Sequence, residues 1–466
     1  MTGALLGSFL ALMATGLPVA LAMSAAALVY VMATGTVPDY VVIHRMVGGL
    51  DSFPLLAVPF FILAGNLMNT AGITNQIYNF ALALVGWMKG GLGHVNVVGS
   101  MIFSGMSGTA IADAAGLGTI EIKAMNDHGY PIEFSVGVTA ASATLGPIIP
   151  PSLPFVIYGM MANVSIGQLF LGGVVPGVVM SVFMMLTVAY YAHTRGYGSD
   201  TPFSWLRLSR AMLEIVVVLG FPLAIWLLTL VDVSVNYAVG ISMGALLALD
   251  WIFKFSAVMA LMAPVILIGG MTMGWFTPTE AAVAAVVWAL FLGLVRYRSL
   301  TWRMLVKASM DTIETTSTVL LIVAAASIFS WLLTVTHVAE AIGNAVLAVT
   351  DKAWVFLLLA NLLMLFVGCF LETTAAILIL VPILMPIVLK LGIDPVHFGL
   401  IMVLNLMIGL LHPPLGMVLF VLARVAKLSV ERTTVAILPW LVSLLISLAL
   451  VTYIPEITLW LPRQFF

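Results

Sequence analysis

Two groups of polar and helix-breaking residues interrupt apolar runs in this chain, and they mark where chemistry could be done. The first comprises Ser104, Gly105, Ser107, Gly108 and Thr109, with Asp113 close behind, and then Gly146, Pro147, Pro150, Pro151 and Ser152. The second comprises Glu372, Thr373 and Thr374, and then Gly409, His412, Pro413 and Pro414. Hydroxyls, a carboxylate and unwound backbone suit binding. Backbone at membrane depth leaves the helix only where protein or a watery cavity meets its freed polar groups. Each group therefore predicts a re-entrant hairpin whose tip faces a broken helix. Taken alone, the first could also be a set of kinks and small-residue packing positions, which are common in membrane helices.

The two groups are copies of one another. Adding 263 carries Gly129 to Gly392, Gly146 to Gly409, Pro150 to Pro413 and Pro151 to Pro414. The same shift carries Thr109, Ala110 and Ile111 to Glu372, Thr373 and Thr374, so the polar clusters fall at equivalent sites. Interrupted apolar segments at corresponding positions of two halves point to a transporter site.

Composition sets the surroundings. Of 466 residues, 62% are hydrophobic and 8% charged, with mean hydropathy +1.19. Soluble domains carry about 25% charged residues, so this is an all-α polytopic membrane protein. A net charge of −2 with no basic stripe argues against a nucleic-acid partner. The single Cys369 excludes an internal disulfide framework. The sequence has neither metal-spaced Cys/His clusters nor a Gly-Lys phosphate loop, so it does not read as an ATP-driven pump. The first segment lacks a basic start and is expected to be a retained span bent near Pro18 rather than a secretory signal.

The elements that must position the two groups follow from a ruler of about 20 apolar residues per crossing. Spans are expected near 3–33 and 52–72, then a hairpin at 77–128, a broken helix at 131–162 and a span at 166–192. Further spans are expected near 211–230, 236–253, 256–276, 278–295 and 311–336. A second hairpin at 353–391, a second broken helix at 395–424 and a span at 434–453 complete the set. The units are then 1–72 (scaffold), 73–162 (first transport repeat), 163–310 (connecting and scaffold spans), 311–352 (a scaffold span and outer loop), 353–424 (second transport repeat) and 425–466 (terminal scaffold span). With the amino terminus inside and each hairpin returning to its own side, thirteen Lys and Arg fall inside. Only Arg45, Lys352, Lys390 and Arg463 fall outside. That bias is expected of a correct topology. It opens the first hairpin inward and the second outward, so the repeats are inverted. Between them, Thr277, Pro278 and Glu280 read as a capping box, which gives Glu280 a structural role.

The residues 52–65 (SFPLLAVPFFILAG), the SGT tip, GPIIPPS, TPTEAA, FLETTAAILILVPILMP, GIDPVHFG and HPPLG together resemble the large membrane subunit of a tripartite ATP-independent periplasmic (TRAP) transporter. The resemblance covers almost the whole chain in the family's order. It implies a sodium-coupled importer of small organic acids, with an ion-transporter-superfamily fold and an elevator mechanism. It also implies a small membrane subunit and a periplasmic substrate-binding protein as partners, in a bacterial inner membrane. Three features depart from the pattern. Residues 211–253 read as two additional spans, Asp113 as an additional carboxylate, and His412 stands where Thr is commoner.

Sodium is a hard cation and takes oxygen ligands, which hydroxyls and the carbonyls of an unwound helix supply. Candidate ligands are Ser107, Gly108 and Thr109 with the carbonyls around Gly146 and Pro150, and Glu372, Thr373 and Thr374 with Gly409 and His412. An anionic substrate is expected between the tips, near Ser104, Ser107, Asp113, Ser152 and Thr374, where half-helix N-termini carry partial positive charge. Asp113 reads equally as an ion- or proton-coupling group and as a dipole-stabilising one. His412 reads as a packed substitute for a hydroxyl. Two other readings stay open: a self-sufficient carrier of the same fold, and a structural or energy-coupling membrane subunit. The duplicated broken helices and the lack of cofactor ligands speak against the latter.

Overall fold

The structure, a computed structural model, describes residues 2–466 except 36, 39, 232, 254, 256, 414 and 415. Side chains are described for these residues except at 2–4, 107, 236, 339 and 349. Pro414 and the side chain of Ser107 therefore lie outside the described residues.

A lipid-bound chain must satisfy its backbone internally, and helices do so throughout. The amino-terminal helices are α1 (Thr2–Ala14), α2 (Val19–Thr34), α3 (Tyr40–Leu50), α4 (Ala57–Thr70) and α5 (Ile73–Val85). The expected first span is two helices, because Gly16 takes a left-handed φ of +85° and Pro18 has no N–H to continue the ladder. The expected hairpin at 77–128 starts later, since α5 is a separate helix ended at Gly86. The hairpin proper is α6 (Gly91–Ser107), α7 (Ala110–Ala115) and α8 (Leu117–Asp127). The broken helix consists of α9 (Ile132–Ala143) and α10 (Leu153–Ala162).

Five longer or connecting helices follow: α11 (Ile166–Arg195), α12 (Trp205–Leu230), α13 (Val235–Phe253), α14 (Val258–Thr272) and α15 (Pro278–Phe291). The start of α15 is the expected capping box. The Thr277 hydroxyl accepts from the Glu280 N–H, and the Glu280 carboxylate accepts from the Thr277 N–H at 2.8 Å. Helices α12 and α13 pack on each other, and α12 also lies on α14 and α5. Two buried carboxylates pin the pair in place. Glu214 accepts from the Ala257 N–H at 2.9 Å, at the start of α14, and Asp250 meets Arg296 at 2.8 Å.

The second half comprises α16 (Trp302–Val335), α17 (Val338–Val349), α18 (Ala353–Gly368), α19 (Thr373–Lys390), α20 (Pro395–Gly409), α21 (Met417–Ala426), α22 (Val430–Tyr453), α23 (Glu456–Leu459) and α24 (Pro462–Phe465). Ile132 and Pro395, Leu153 and Met417, and Ile166 and Val430 start corresponding helices, so the offset of 263 holds to within one residue. The short helices α5 and α17, taken from sequence as parts of a hairpin and a loop, occupy corresponding places before the two hairpins. Among the described residues, seven helices are long and apolar enough to cross a membrane, with shorter apolar ones between them.

The two halves interlock. Helix α7 packs on α21, and α19 packs on α10, so each tip rests on the other half's broken helix. Helix α22 lies along α9, where Trp440 covers Gly137 and Arg432 pairs with Glu133. Buried His397 of α20 bonds the Thr458 hydroxyl at 2.7 Å through Nδ1. Its Nε2 lies 3.2 Å from the Thr452 carbonyl. Asn361 of α18 donates to the Thr452 hydroxyl at 3.0 Å. Helix α16 instead packs with α2, α3 and α4, and reaches the second hairpin along α19.

Candidate functional site

The first tip is shaped by Gly108, whose φ of +65° ends α6, and by Thr109, which caps α7 by accepting from the Ala112 N–H at 3.2 Å. The tip lies directly on the break in α9–α10. A Cβ on Gly108 would stand 2.9 Å from the Pro151 carbonyl, and one on Gly146 would stand 2.9 Å from Asp113 Oδ2 and 3.1 Å from the Thr109 carbonyl. Only glycine permits these approaches, and they bring Gly108, Thr109, Asp113, Gly146 and Pro150–Pro151 together. Pro150 and Pro151 are joined by a cis peptide.

The second tip repeats the device with different side chains. Glu372 caps α19 at the place equivalent to Thr109. One oxygen accepts from the Thr374 hydroxyl at 2.9 Å, and the other from the Ala375 N–H at 3.4 Å. Thr373 differs from both neighbours. Its hydroxyl is buried and has no partner among the described residues.

Between the tips is a cavity of about 50 Å³. That is room for a few waters or an ion, and too tight for an organic acid unless the tips part. Gly108, Thr109, Glu372, Thr373 and Thr374 line it from the two tips. So do Ala110, Leu153, Thr373 and Met417, the first residues of α7, α10, α19 and α21. Four helix N-termini thus converge on one small space. Ile111, Met407 and Leu410 complete an apolar rim that the polar motifs gave no reason to expect. Its sequence signal is position: Ile111 follows the first tip, and Met407 and Leu410 stand where α20 ends at the second break.

Several candidates stand behind the cavity rather than on it. Ser152 caps α10, accepting from the Phe155 N–H and donating to the Pro147 carbonyl at 2.5 Å. Ser104 is buried, bonds the Ser100 carbonyl and lies 3.4 Å from Asp113 Oδ2. Gly409 abuts Gly368, backbone to backbone. The His412 ring lies 3.3 Å from the Ile408 carbonyl, within its own break. Behind the first tip runs a buried chain that sequence reasoning missed. Asn96 donates to Thr139 at 2.7 Å, Ser142 donates to Asn96 at 2.6 Å, and Ser100 donates to Ser142 at 3.0 Å. Its signal was polar residues at three- and four-residue spacing on facing helices.

A sequence model of the tripartite ATP-independent periplasmic transporter family, DctM component, matches residues 6–457. The chain belongs to this family. It is 41% identical over 465 residues to the sialic acid TRAP transporter large permease protein SiaM of Vibrio cholerae, covering 100% of the chain and 99% of that protein. It is 33% identical over 471 residues to the C4-dicarboxylate TRAP transporter large permease protein DctM of Rhodobacter capsulatus, covering 98% of each. The fold is similar to the crystal structure of the Alcanivorax borkumensis YdaH transporter, described as having an unusual topology. The TM-score is 0.58 at 13% identity, over 88% of this chain and 86% of that one. This DctM-type subunit is therefore a transporter component rather than an enzyme, and a multi-pass protein of the bacterial inner membrane. Helices α12 and α13 lie between the limits of the family match.

Proposed function

We propose that this DctM-type subunit imports small organic acids in symport with sodium, together with a small membrane subunit and a periplasmic binding protein. The observation that carries the reading is the convergence of four helix N-termini on a cavity holding one carboxylate, Glu372. Helix N-termini attract an anion. Glu372 repels one, by roughly 4 kcal/mol for unit charges 4 Å apart at an effective dielectric constant of 20. A cation bound beside Glu372 removes that repulsion, so ion and acid favour each other's binding. Relatives named for sialic acid and C4-dicarboxylates supply the substrate class.

The oxygen set suits sodium. Thr373 offers an orphaned buried hydroxyl, Glu372 a carboxylate, and Thr374 a hydroxyl already turned toward Glu372. At the first tip, Gly108 and Thr109 face the unwound backbone from Gly146 to Pro151. Gly146, Pro150, Gly409 and His412 have the weakest support, since none of them lines the cavity.

Movement of the site across the membrane is read as an elevator. The interlocked packing supports one moving body made of both hairpins and both broken helices. It also supports a revision: α11 and α22, expected from sequence as scaffold at 166–192 and 434–453, travel with that body. Sliding α22 past α9, α18 and α20 would strip His397 and Asn361 of their bonds to Thr452 on every cycle, at about 1–3 kcal/mol for each buried polar group, and would uncover Trp440 from Gly137. Among the described residues no side-chain hydrogen bond joins α16 to α19, as a sliding surface requires.

Proteoliposomes holding this subunit with its small partner test the reading. An inward sodium gradient should drive uptake of N-acetylneuraminate or succinate only when the binding protein is added. Uptake without the binding protein would favour a self-sufficient carrier, and uptake indifferent to sodium would end the symport reading.

A further inference from the structure

Glu121 lies on α8, away from both tips, and the transport reading makes no use of it. It is 1% exposed, and neither oxygen of its carboxyl has a partner among the described residues. Gly99 of α6 faces it. A Cβ there would stand 3.0 Å from Oε1, so the absent side chain lets the carboxyl seat against α6.

Among the described residues no cation pairs with Glu121. Helix α6, which packs on α8, carries His94, buried, with Nδ1 without a partner among the described residues. From α7 comes Asp113, and from α5 Tyr78, both close enough to interact with Glu121 electrostatically. Helix α9, which also packs on α8, carries Glu133 at its exposed start, paired there with Arg432. On α8 itself, Lys123 and Asp127 face outward. A buried carboxylate with neither countercharge nor donor does not persist as an ion; it takes a proton.

We propose that Glu121 is a proton-binding site of the first hairpin, filled when the hairpin is packed and emptied when the compartment at the hairpin's open end turns alkaline. Glu121 sits six residues from the end of α8, roughly 9 Å along the axis. Asn126, Asp127 and His128 are exposed there. The positive-inside bias puts that end in the cytoplasm. The chemistry is one proton passing from hydronium to a carboxylate oxygen, leaving water, and returning by the same route. Once ionised, Glu121 repels Asp113, whose Oδ2 abuts Gly146 at the first tip. Alkaline cytoplasm should therefore unsettle the tip and slow uptake.

Two measurements on the full chain with its small subunit in lipid test this. Infrared difference spectroscopy across a pH titration needs neither sodium nor substrate, so it can fail independently of the symport reading. At neutral pH the wild type should show the carbonyl band of a neutral carboxylic acid that alkali removes and that both Glu121→Gln and Glu121→Met lack. In proteoliposomes, wild-type uptake should fall several-fold as the interior goes from mildly acidic to mildly alkaline. Glu121→Gln, which is neutral at every pH, should lose that dependence. The methionine variant carries the spectroscopic test if the glutamine one does not assemble. A band that survives both substitutions, or a pH dependence unchanged in Glu121→Gln, overturns the assignment.

Discussion

Replacing Thr373 by Val separates a structural hydroxyl from a ligating one. Thr373 opens α19, is 3% exposed, and its hydroxyl has no partner among the described residues. Leaving such a group unsatisfied costs about 1–3 kcal/mol. Valine keeps the shape and removes the polar atom, so without sodium the variant should melt at the wild-type temperature or above it. With sodium the sign reverses. A lost ligand of about 1–3 kcal/mol weakens sodium binding roughly 5- to 150-fold. The assay is the sodium concentration giving half-maximal uptake, beside the sodium-dependent rise in melting temperature, which reports binding without transport. Thr109→Val is the informative contrast. Its hydroxyl caps Ala112, so that variant should lose about 1 kcal/mol of stability even without sodium. A Thr373→Val protein with raised stability and unchanged sodium dependence would refute the ligand assignment.

Three further outcomes are expected. Gly146→Ala would drive a methyl group to within 2.9 Å of Asp113 Oδ2 and 3.1 Å of the Thr109 carbonyl, prying the first tip from the break. Uptake should collapse while membrane insertion and purification stay normal, and near-normal uptake would show that the tip need not seat there. Glu280→Ala removes half of the capping box and should cost about 1 kcal/mol of stability. Uptake per folded molecule should be unchanged, and its loss would give Glu280 a functional role. In a background lacking Cys369, a cysteine pair joining α7 to α21 should leave uptake largely intact. A pair joining α16 to α19 should arrest it until reduced; the opposite pattern would make the tips local gates.

The repeat and its breaks were legible because a membrane leaves few ways to satisfy a backbone. Gly108, Gly146 and the Pro-Pro pairs interrupt apolar runs that otherwise have no reason to stop, and one offset carries Gly146, Pro150 and Pro151 onto Gly409, Pro413 and Pro414. The equivalence of Thr109 and Glu372 followed from the same alignment, whereas their capping of α7 and α19 shows only in the folded chain. What stayed hidden depends on distance rather than pattern. Trp440 of α22 covering Gly137, and His397 reaching Thr458 of α23, join residues that share no motif. Helices α5 and α17 were missed because they are too short to cross. Their signal is narrower, an apolar residue every fourth position at Ile73, Ile77 and Ala81, and at Val338, Ile342 and Val346. Nor did spacing separate Ser104 and Ser152, which are engaged in bonds behind the cavity, from the open hydroxyl of Thr373.

The most direct test of sodium–acid coupling at the paired tips runs the coupling backwards. Proteoliposomes are loaded with equal sodium on both sides, and an acid that the transporter takes up is added outside with the binding protein while radioactive sodium is followed. If cation and anion share the cavity beside Glu372, the inward acid gradient should carry sodium in against no gradient of its own. Thr373→Val should blunt that entry at low sodium. Acid uptake with no accompanying sodium would contradict the coupling.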